Sequence, residues 1–232
     1  MTHQYRYRLA ASLCVTKLCA LLLGASAHAQ PSVPQLPRLD QDQVDIDLDG
    51  FLDEAVWNDL PYVDGMRVIN PDTLAEVPYE THVRAFYTEQ GIYVGAMNFQ
   101  PADTLVARMT SRDTQLDRDG FVVGLDPSGE GLYGYFLRIN LGDSMTDGTI
   151  LPERQLNMQW DGSWNARTQA LENGWSVEYF IPWAMMPLPQ SPDGSRQIGF
   201  YYERQVGHLG GETWSSPPLP RTVNQYLSAF ER

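Results

Sequence analysis

The run VRAFYTEQGIYVGAMNF, residues 83–99, contains two β-strand patterns separated by a turn. β-branched and aromatic residues are frequent in 83–87 and in 92–99, and the two runs flank Glu89-Gln90-Gly91. A short polar segment with glycine between two such runs is typical of a β-hairpin. The sequence therefore predicts two neighbouring antiparallel strands here.

The same pattern recurs along the chain. Predicted strands at 121–125 and 132–141 flank the turn PSGEG, those at 165–171 and 175–181 flank ENG, and further strands are predicted at 44–48, 198–204 and 226–230. Helix is predicted only around 54–58 and 183–186. Many short strands with very little helix predict an all-β protein. Because the strand faces mostly alternate, we expect a two-sheet antiparallel β-sandwich of the jelly-roll or immunoglobulin-like kind.

Residues 1–29 have the three parts of a secretory signal peptide. Basic residues precede a short apolar run at 18–27, and Ala27-His28-Ala29 offers small residues for cleavage before Gln30. The apolar run is shorter than the roughly 20 residues that span a bilayer, and no later run reaches that length. We predict cleavage after Ala29, export to the periplasm or the extracellular space, and no transmembrane segment in the mature chain.

The mature chain is expected to form one domain. Residues 30–43 contain prolines and no periodicity, which predicts an extended leader, and residues 44–232 are predicted to form the sandwich. Both cysteines, Cys14 and Cys19, lie in the signal peptide, which excludes disulfides and thiolate chemistry from the mature chain. The whole chain carries a formal net charge of −13. Such an acidic protein should not bind nucleic acid or anionic lipid surfaces, whereas neutral glycans and divalent cations remain compatible with it.

A set of motifs in a fixed order resembles the family 9 carbohydrate-binding modules. The set extends over residues 44–230, nearly all of the mature chain. It comprises Asp49-Gly50-Phe51-Leu52-Asp53-Glu54-Ala55-Val56-Trp57, Thr81–Tyr87 with Gly91–Val94, Arg112-Asp113, Asp119–Asp126, Phe136–Asn140, Gly174–Trp183 and Ile198–Arg204. The resemblance implies a β-sandwich that binds carbohydrate as a non-catalytic module, alone or beside a glycan-degrading system, with a poly- or oligosaccharide as its partner.

The resemblance also indicates where this chain departs from the sugar-binding members. A clamping tryptophan of those members corresponds to Leu116, a glutamate to Val122, and a second clamping tryptophan to the region of residues 220–222. Arg138 does match their hydrogen-bonding arginine. The segment Trp160-Asp161-Gly162-Ser163-Trp164 is similar to family-9-like domains that precede an outer-membrane-barrel-like region. A cell-envelope protein-interaction module with an outer-membrane partner is therefore the alternative function.

Several residues are candidates for the glycan contact. Trp160 and Trp164 lie four apart in a polar segment and Trp214 lies near two prolines, so we interpret all three as loop aromatics that can pack against sugar rings. An arginine fork such as that of Arg138 can bridge two vicinal hydroxyls. Polar contacts are also expected from Arg112, Asp113 and Asp119. Each of these residues has a structural alternative: tryptophans can seal a sheet end, and charged side chains can form ion pairs within the sheet.

A second pattern concerns metal. Asp45, Asp47, Asp49 and Asp53 match the first nine positions of a calcium-binding loop, D-x-D-x-D-G-x-x-D. Position twelve is Val56 instead of the bidentate glutamate. The alternative is a strand whose polar face consists of aspartates. Family 9 modules can hold structural calcium, so the resemblance leaves a structural Ca²⁺ open, and the sequence indicates no other cofactor.

Enzyme functions find little support in the sequence. The chain has no G-x-S-x-G elbow, no H-E-x-x-H and no P-loop, and only His82 and His208 follow the signal peptide. Paired carboxylates could hydrolyse glycosides, but the sequence does not single out a pair. A haem-binding variant would need axial ligands such as Met or His, and none stands out. We expect a protein that is not an enzyme.

Overall fold

The computed structural model describes residues 35–109, 117–191 and 194–232, apart from the side chain of Glu153. The predicted signal peptide, the first residues of the leader, and Arg112, Asp113 and Leu116 lie outside the described residues.

The described chain is built almost entirely from β-strands. The strands are β1 (Arg67–Asn70), β2 (Thr81–Tyr87), β3 (Gly91–Phe99), β4 (Gly120–Asp126), β5 (Gly134–Asn140), β6 (Ser144–Leu151), β7 (Gln155–Asn157), β8 (Asn165–Leu171), β9 (Gly174–Pro182), β10 (Gly199–Val206) and β11 (Glu212–Ser216). A five-residue helix, α1, covers Ala55–Asp59, and short 3₁₀ turns occur at Gln41–Gln43, Ala102–Thr104, Pro152–Arg154, Trp183–Met185, Gly207–Leu209 and Leu227–Ala229. None of the helices described is long and apolar enough to cross a membrane.

The strands form two antiparallel sheets. The large sheet has the order β1-β11-β10-β4-β5-β6-β7, and the small sheet has the order β2-β3-β9-β8. Fully buried side chains such as Val94, Leu137 and Tyr179 fill the space between them. The predicted two-sheet antiparallel sandwich is confirmed.

The three predicted hairpins are the β2–β3, β4–β5 and β8–β9 pairs. Two predicted strands differ from the structure. Residues 226–230 contain a 3₁₀ turn instead of a strand, because their aromatic side chains pack onto the large sheet, and only the following Glu231 forms a single β-bridge, with Phe200. Residues 44–48 keep the expected alternation of burial but pair with no strand.

Two segments outside the strands cover the outer faces of the sheets. The N-terminal cover, residues 39–60, packs on the outer face of the small sheet, where Trp57 contacts a cluster with Phe86 and Tyr93. The C-terminal cover, residues 219–230, packs on part of the outer face of the large sheet through Tyr226 and Phe230. Only part of each outer face therefore remains open.

Arg204 connects the two sheets through the core. The side chain is fully buried on β10, and its guanidinium lies 4.9 Å from the centre of the Trp214 ring. Nη1 donates to the Glu80 carbonyl (3.0 Å) and to Thr81 Oγ1 (2.9 Å), and Nη2 donates to the Phe99 carbonyl (2.9 Å) and to Gln100 Oε1 (2.8 Å). Burial lowers the pKa of Arg204 to about 9, against the opposing effect of the Asp119 charge. One cation thus satisfies polar groups of the small sheet from a strand of the large one.

Candidate functional site

The outer face of the large sheet carries a row of polar side chains next to the C-terminal cover. On β4 the residues Phe121, Val123 and Leu125 belong to the core between the sheets, so the alternation directs Gly120, Val122 and Gly124 to the outer face. In the register, Val122 pairs with Arg138 on one side and with Glu203 on the other. Three neighbouring strands thus bring Arg138 and Glu203 to one face, although 65 residues of sequence separate them.

Arg138 is the centre of this row. Its Nη2 donates a hydrogen bond of 2.9 Å to Gln205 Oε1 and lies 3.8 Å from Glu203 Oε1. Both partners lie on β10, so the guanidinium reaches across β4. This is possible because the β4 residues beside Arg138 on this face are Gly120, Val122 and Gly124, two of which have no side chain.

The side chains of the polar row are held in place by hydrogen bonds but are not completely buried. The Arg138 side chain is 14% exposed and that of Glu203 is 16% exposed. Tyr201 donates its hydroxyl to Glu203 Oε2 at 2.8 Å, which fixes the second carboxylate oxygen. The Nε of Arg138 is buried and has no hydrogen-bond partner. The row therefore offers a pre-positioned arginine, an amide and a carboxylate that are each still partly accessible.

The C-terminal cover closes one end of the polar row. Phe230 approaches Gly124 so closely that a β-carbon there would lie 3.1 Å from the phenyl ring. Arg154 holds the cover in place: its Nη2 donates to the carbonyls of Leu219 (2.7 Å) and Pro220 (2.6 Å), and its guanidinium lies 4.3 Å from the centre of the Tyr226 ring. The outer face is thereby divided into an apolar half under the cover and a polar half around Arg138.

The structure places the three predicted loop aromatics in or against the core between the sheets. Trp164 is only 3% exposed, stacks on Tyr179 in the core and donates its Nε1 to Asp147 Oδ2 at 3.0 Å. Trp214 is fully buried on β11 and not in a loop. Trp160 is half-buried, with its ring 4.8 Å from that of Tyr135. The three indoles are separated from Arg138 by the sheet itself, because they contribute to the core between the sheets.

Asp119, which the sequence predicts to contact glycan, lies in the interior of the sandwich. The side chain is fully buried. Its Oδ2 accepts from the Val106 amide (2.7 Å) and from Gln100 Nε2 (3.1 Å), and its Oδ1 accepts from the Gly207 amide (2.9 Å). With both oxygens occupied, Asp119 fixes two loops at the end of the sandwich. Arg112 and Asp113, also predicted to contact glycan, lie outside the described residues.

The predicted calcium loop does not have the geometry of a metal site. Among the described residues, no three His, Cys, Asp or Glu side chains converge on a point that could hold a metal ion. Asp45, Asp47, Asp49 and Asp53 are all exposed. The Asp49 Oδ1 accepts from the Phe51 amide at 2.9 Å, which is a local turn. Calcium binding by these four residues stays a prediction from the sequence.

Sequence reasoning identified Arg138 but missed its partners. Glu203 and Gln205 alternate along β10 with the core residues Tyr202 and Val206, and this alternation is a signal that they face outward. No pattern in the sequence indicates that β10 lies two strands from β5. The missing information was the strand order.

Comparison with known proteins agrees with this fold. No family model and no curated protein matches the chain. A family 9 carbohydrate-binding module from Caldicellulosiruptor kristjanssonii, solved with cellotriose, superposes with a TM-score of 0.57 at 15% identity, covering 84% of this chain and 91% of that one. The glucose complex from the same organism gives a TM-score of 0.53 at 15% identity, covering 83% and 92%. A candidate carbohydrate-binding protein from Bacteroides uniformis gives 0.56 at 13% identity, covering 84% and 96%. The chain therefore contains a domain with the β-sandwich fold of the family 9 carbohydrate-binding modules.

Proposed function

We propose that this protein is an exported, non-catalytic carbohydrate-binding module and that Arg138 is the centre of its binding site. The observation that carries the proposal is the arginine on the outer face of the large sheet, held in place by Gln205 and Glu203 while its side chain stays 14% exposed. A planar guanidinium donates to two acceptors at once, which suits the vicinal hydroxyls of a pyranose. Binding affinity benefits when such a fork is already held in place.

The neighbours of Arg138 complement a neutral sugar. The Gln205 amide can both donate and accept, and the Glu203 carboxylate can accept from a hydroxyl. Because Glu203 balances the arginine charge, the row does not require an anionic ligand. The similar structures were solved with cellotriose and glucose, so gluco-configured oligosaccharides are the first ligands to test.

The experiment is isothermal titration of cello-oligosaccharides, with a glycan array to widen the search. We expect Arg138→Met and Gln205→Ala to weaken binding at least tenfold in proteins that still fold. Arg167→Met is the matched control, because Arg167 is an exposed arginine on β8 of the small sheet. Wild-type affinity in the Arg138→Met variant would refute this site. A folded protein that binds no glycan, but is retained by an envelope protein, would favour the interaction-module function instead.

Export is a separate part of the proposal. We expect the protein in the periplasmic or extracellular fraction, with an amino terminus at Gln30 in intact-mass measurement. Full-length protein in the cytoplasm would contradict it.

A further inference from the structure

Tyr62 has an exposed ring that is supported from below. The residue is 47% exposed and lies next to the small sheet, on its outer face. Val63 exchanges two backbone hydrogen bonds with Val83 of β2, at 2.7 and 2.9 Å, which fixes the chain at this point. The Tyr62 ring stacks on the imidazole of His82, with ring centres 3.9 Å apart and planes at 20°.

The support beneath Tyr62 is itself well packed. His82 makes an edge-to-face contact with Phe99 at 5.0 Å, and its Nε2 lies 3.2 Å from Glu80 Oε2. The Arg84 guanidinium lies 5.3 Å from the centre of the Tyr62 ring, and its Nε donates to the Leu60 carbonyl at 3.3 Å. Since these contacts already restrain the ring, little additional side-chain entropy is lost when a ligand packs on it.

The polar groups around this ring suit hydroxyls. Glu80 is 77% exposed and can accept hydrogen bonds. Within the described ranges, no acceptor is found for the terminal nitrogens of Arg84, so these can donate. The nearby Asp59 and Asp64 are exposed as well and would repel an anionic ligand.

We propose that Tyr62 forms a second carbohydrate-binding platform, distinct from the Arg138 row, that takes a neutral pyranose. The apolar C–H face of the sugar would pack on the open face of the tyrosine ring, with Arg84 and Glu80 hydrogen-bonding to its hydroxyls. Among the described aromatic residues, only Tyr62 and Phe51 are exposed, and Tyr62 alone of the two stacks on another ring.

The two sites lie on opposite outer faces of the sandwich. Arg138 belongs to the large sheet and Tyr62 to the small one. A polysaccharide particle in which many chains are held together could then occupy both sites on the same molecule. Such bivalent attachment raises the apparent affinity without new contacts.

A direct test uses the two histidines that follow the predicted signal peptide, His82 and His208. Cellohexaose, xylohexaose and mannohexaose are titrated while the imidazole proton signals are recorded, with His208→Gln to assign them. Because His82 lies directly under Tyr62, we expect its signals to shift with at least one sugar. His208 contacts Tyr79 instead and serves as the internal reference. No shift of the His82 signals with any of the three sugars would overturn the proposal.

Variants then separate the two sites. In an Arg138→Met background, Tyr62→Ala should weaken residual hexasaccharide binding at least fivefold, whereas Tyr62→Phe should change it less than twofold. Phe51→Ala is the control, as an exposed ring without a stacking partner, and should have no effect. If sugar binds at the Tyr62 platform and not at Arg138, Arg138→Met will leave binding unchanged and Tyr62→Ala will abolish it. Unchanged binding in a folded Tyr62→Ala variant would refute the platform.

Discussion

Glu178 on β9 accepts a hydrogen bond of 3.1 Å from the indole Nε1 of Trp57 in α1, and this bond joins the N-terminal cover to the small sheet. Its Oε2 also accepts from the amides of Gly50 (2.9 Å) and Asp49 (3.2 Å). The side chain is fully buried. Burial raises the pKa of Glu178 from 4.5 to about 7, the Glu54 charge acts in the same direction, and the three hydrogen bonds oppose the rise.

This raised pKa predicts a pH dependence of stability. The folded state holds the Glu178 proton more tightly than the unfolded state, so the contribution of this group to the free energy of unfolding falls as pH rises from about 4.5 to 7. Glu178→Gln should remove about 2–3 kcal/mol of the difference in stability between pH 5 and pH 8. Urea denaturation at both pH values measures it. Glu172→Gln, in the exposed β8–β9 turn, should leave the difference unchanged. If the stability difference between pH 5 and pH 8 were the same in wild type and in Glu178→Gln, the prediction would be contradicted.

The link through Arg204 should dominate the stability of the sandwich. Arg204→Met removes four hydrogen bonds and leaves buried polar groups of the small sheet without a donor. We expect the free energy of unfolding to fall by about 3–5 kcal/mol, as for other broken buried charge networks. Arg204→Lys should also destabilise, because an ammonium cannot replace the fork. Arg167→Met is the surface control. A similar, small decrease in the free energy of unfolding of Arg204→Met and Arg167→Met would argue against the link.

Trp164 is expected to act on stability and not on glycan affinity. Trp164→Phe keeps an aromatic ring beside Tyr179 but removes the donor to Asp147, which should cost about 1–3 kcal/mol. Trp164→Ala should cost about 3–5 kcal/mol because it leaves a cavity. Thermal unfolding and glycan titration of the same samples separate the two effects. A stable Trp164→Phe protein that has lost glycan binding would restore this indole as a ligand contact.

Arg154 should control the attachment of the C-terminal cover. Arg154→Met removes two hydrogen bonds to backbone carbonyls and the contact with Tyr226. We expect about 1–2 kcal/mol of destabilisation. Amide hydrogen exchange should become faster in residues 219–230 and stay the same in β9. Arg196→Met, at an exposed arginine, provides the reference. If amide exchange changed evenly along the chain in both variants, Arg154 would have no local role in holding the cover.

The sequence predicted strands where apolar residues flank a glycine turn and missed strands in which the apolar pattern is absent. The β2–β3 and β8–β9 hairpins follow from apolar periodicity and glycine turns. On β6, the residues Met145, Asp147 and Thr149 pair with core residues of β5, so two of three inward positions are polar and the apolar pattern is absent. On β11, Trp214 is the only apolar residue. Without an apolar pattern, the sequence does not predict this strand either.

The candidate site shows a similar division. The alternation of Phe136–Asn140 and the family resemblance identify Arg138, because both depend on local sequence. The partnership with Gln205 depends on the order β10-β4-β5, which joins distant segments. The burial of Trp164 and Trp214 could not be predicted, because polar neighbours in the sequence do not indicate that an indole packs between two sheets. For Trp164 it is the hydrogen bond to Asp147 that allows a polar segment to hold a buried ring.

The two covers have a consequence for kinetics. Each packs on a surface that exists only once strands distant in sequence have paired: Trp57 needs β3 and β9, and Phe230 needs β4 and β10. We expect such contacts to form after the rate-limiting step of folding and to be lost before the strands separate. We therefore expect substitutions in the covers to accelerate unfolding while leaving the folding rate almost unchanged. The covers would then determine the lifetime of the native state, and the strands the speed with which it forms.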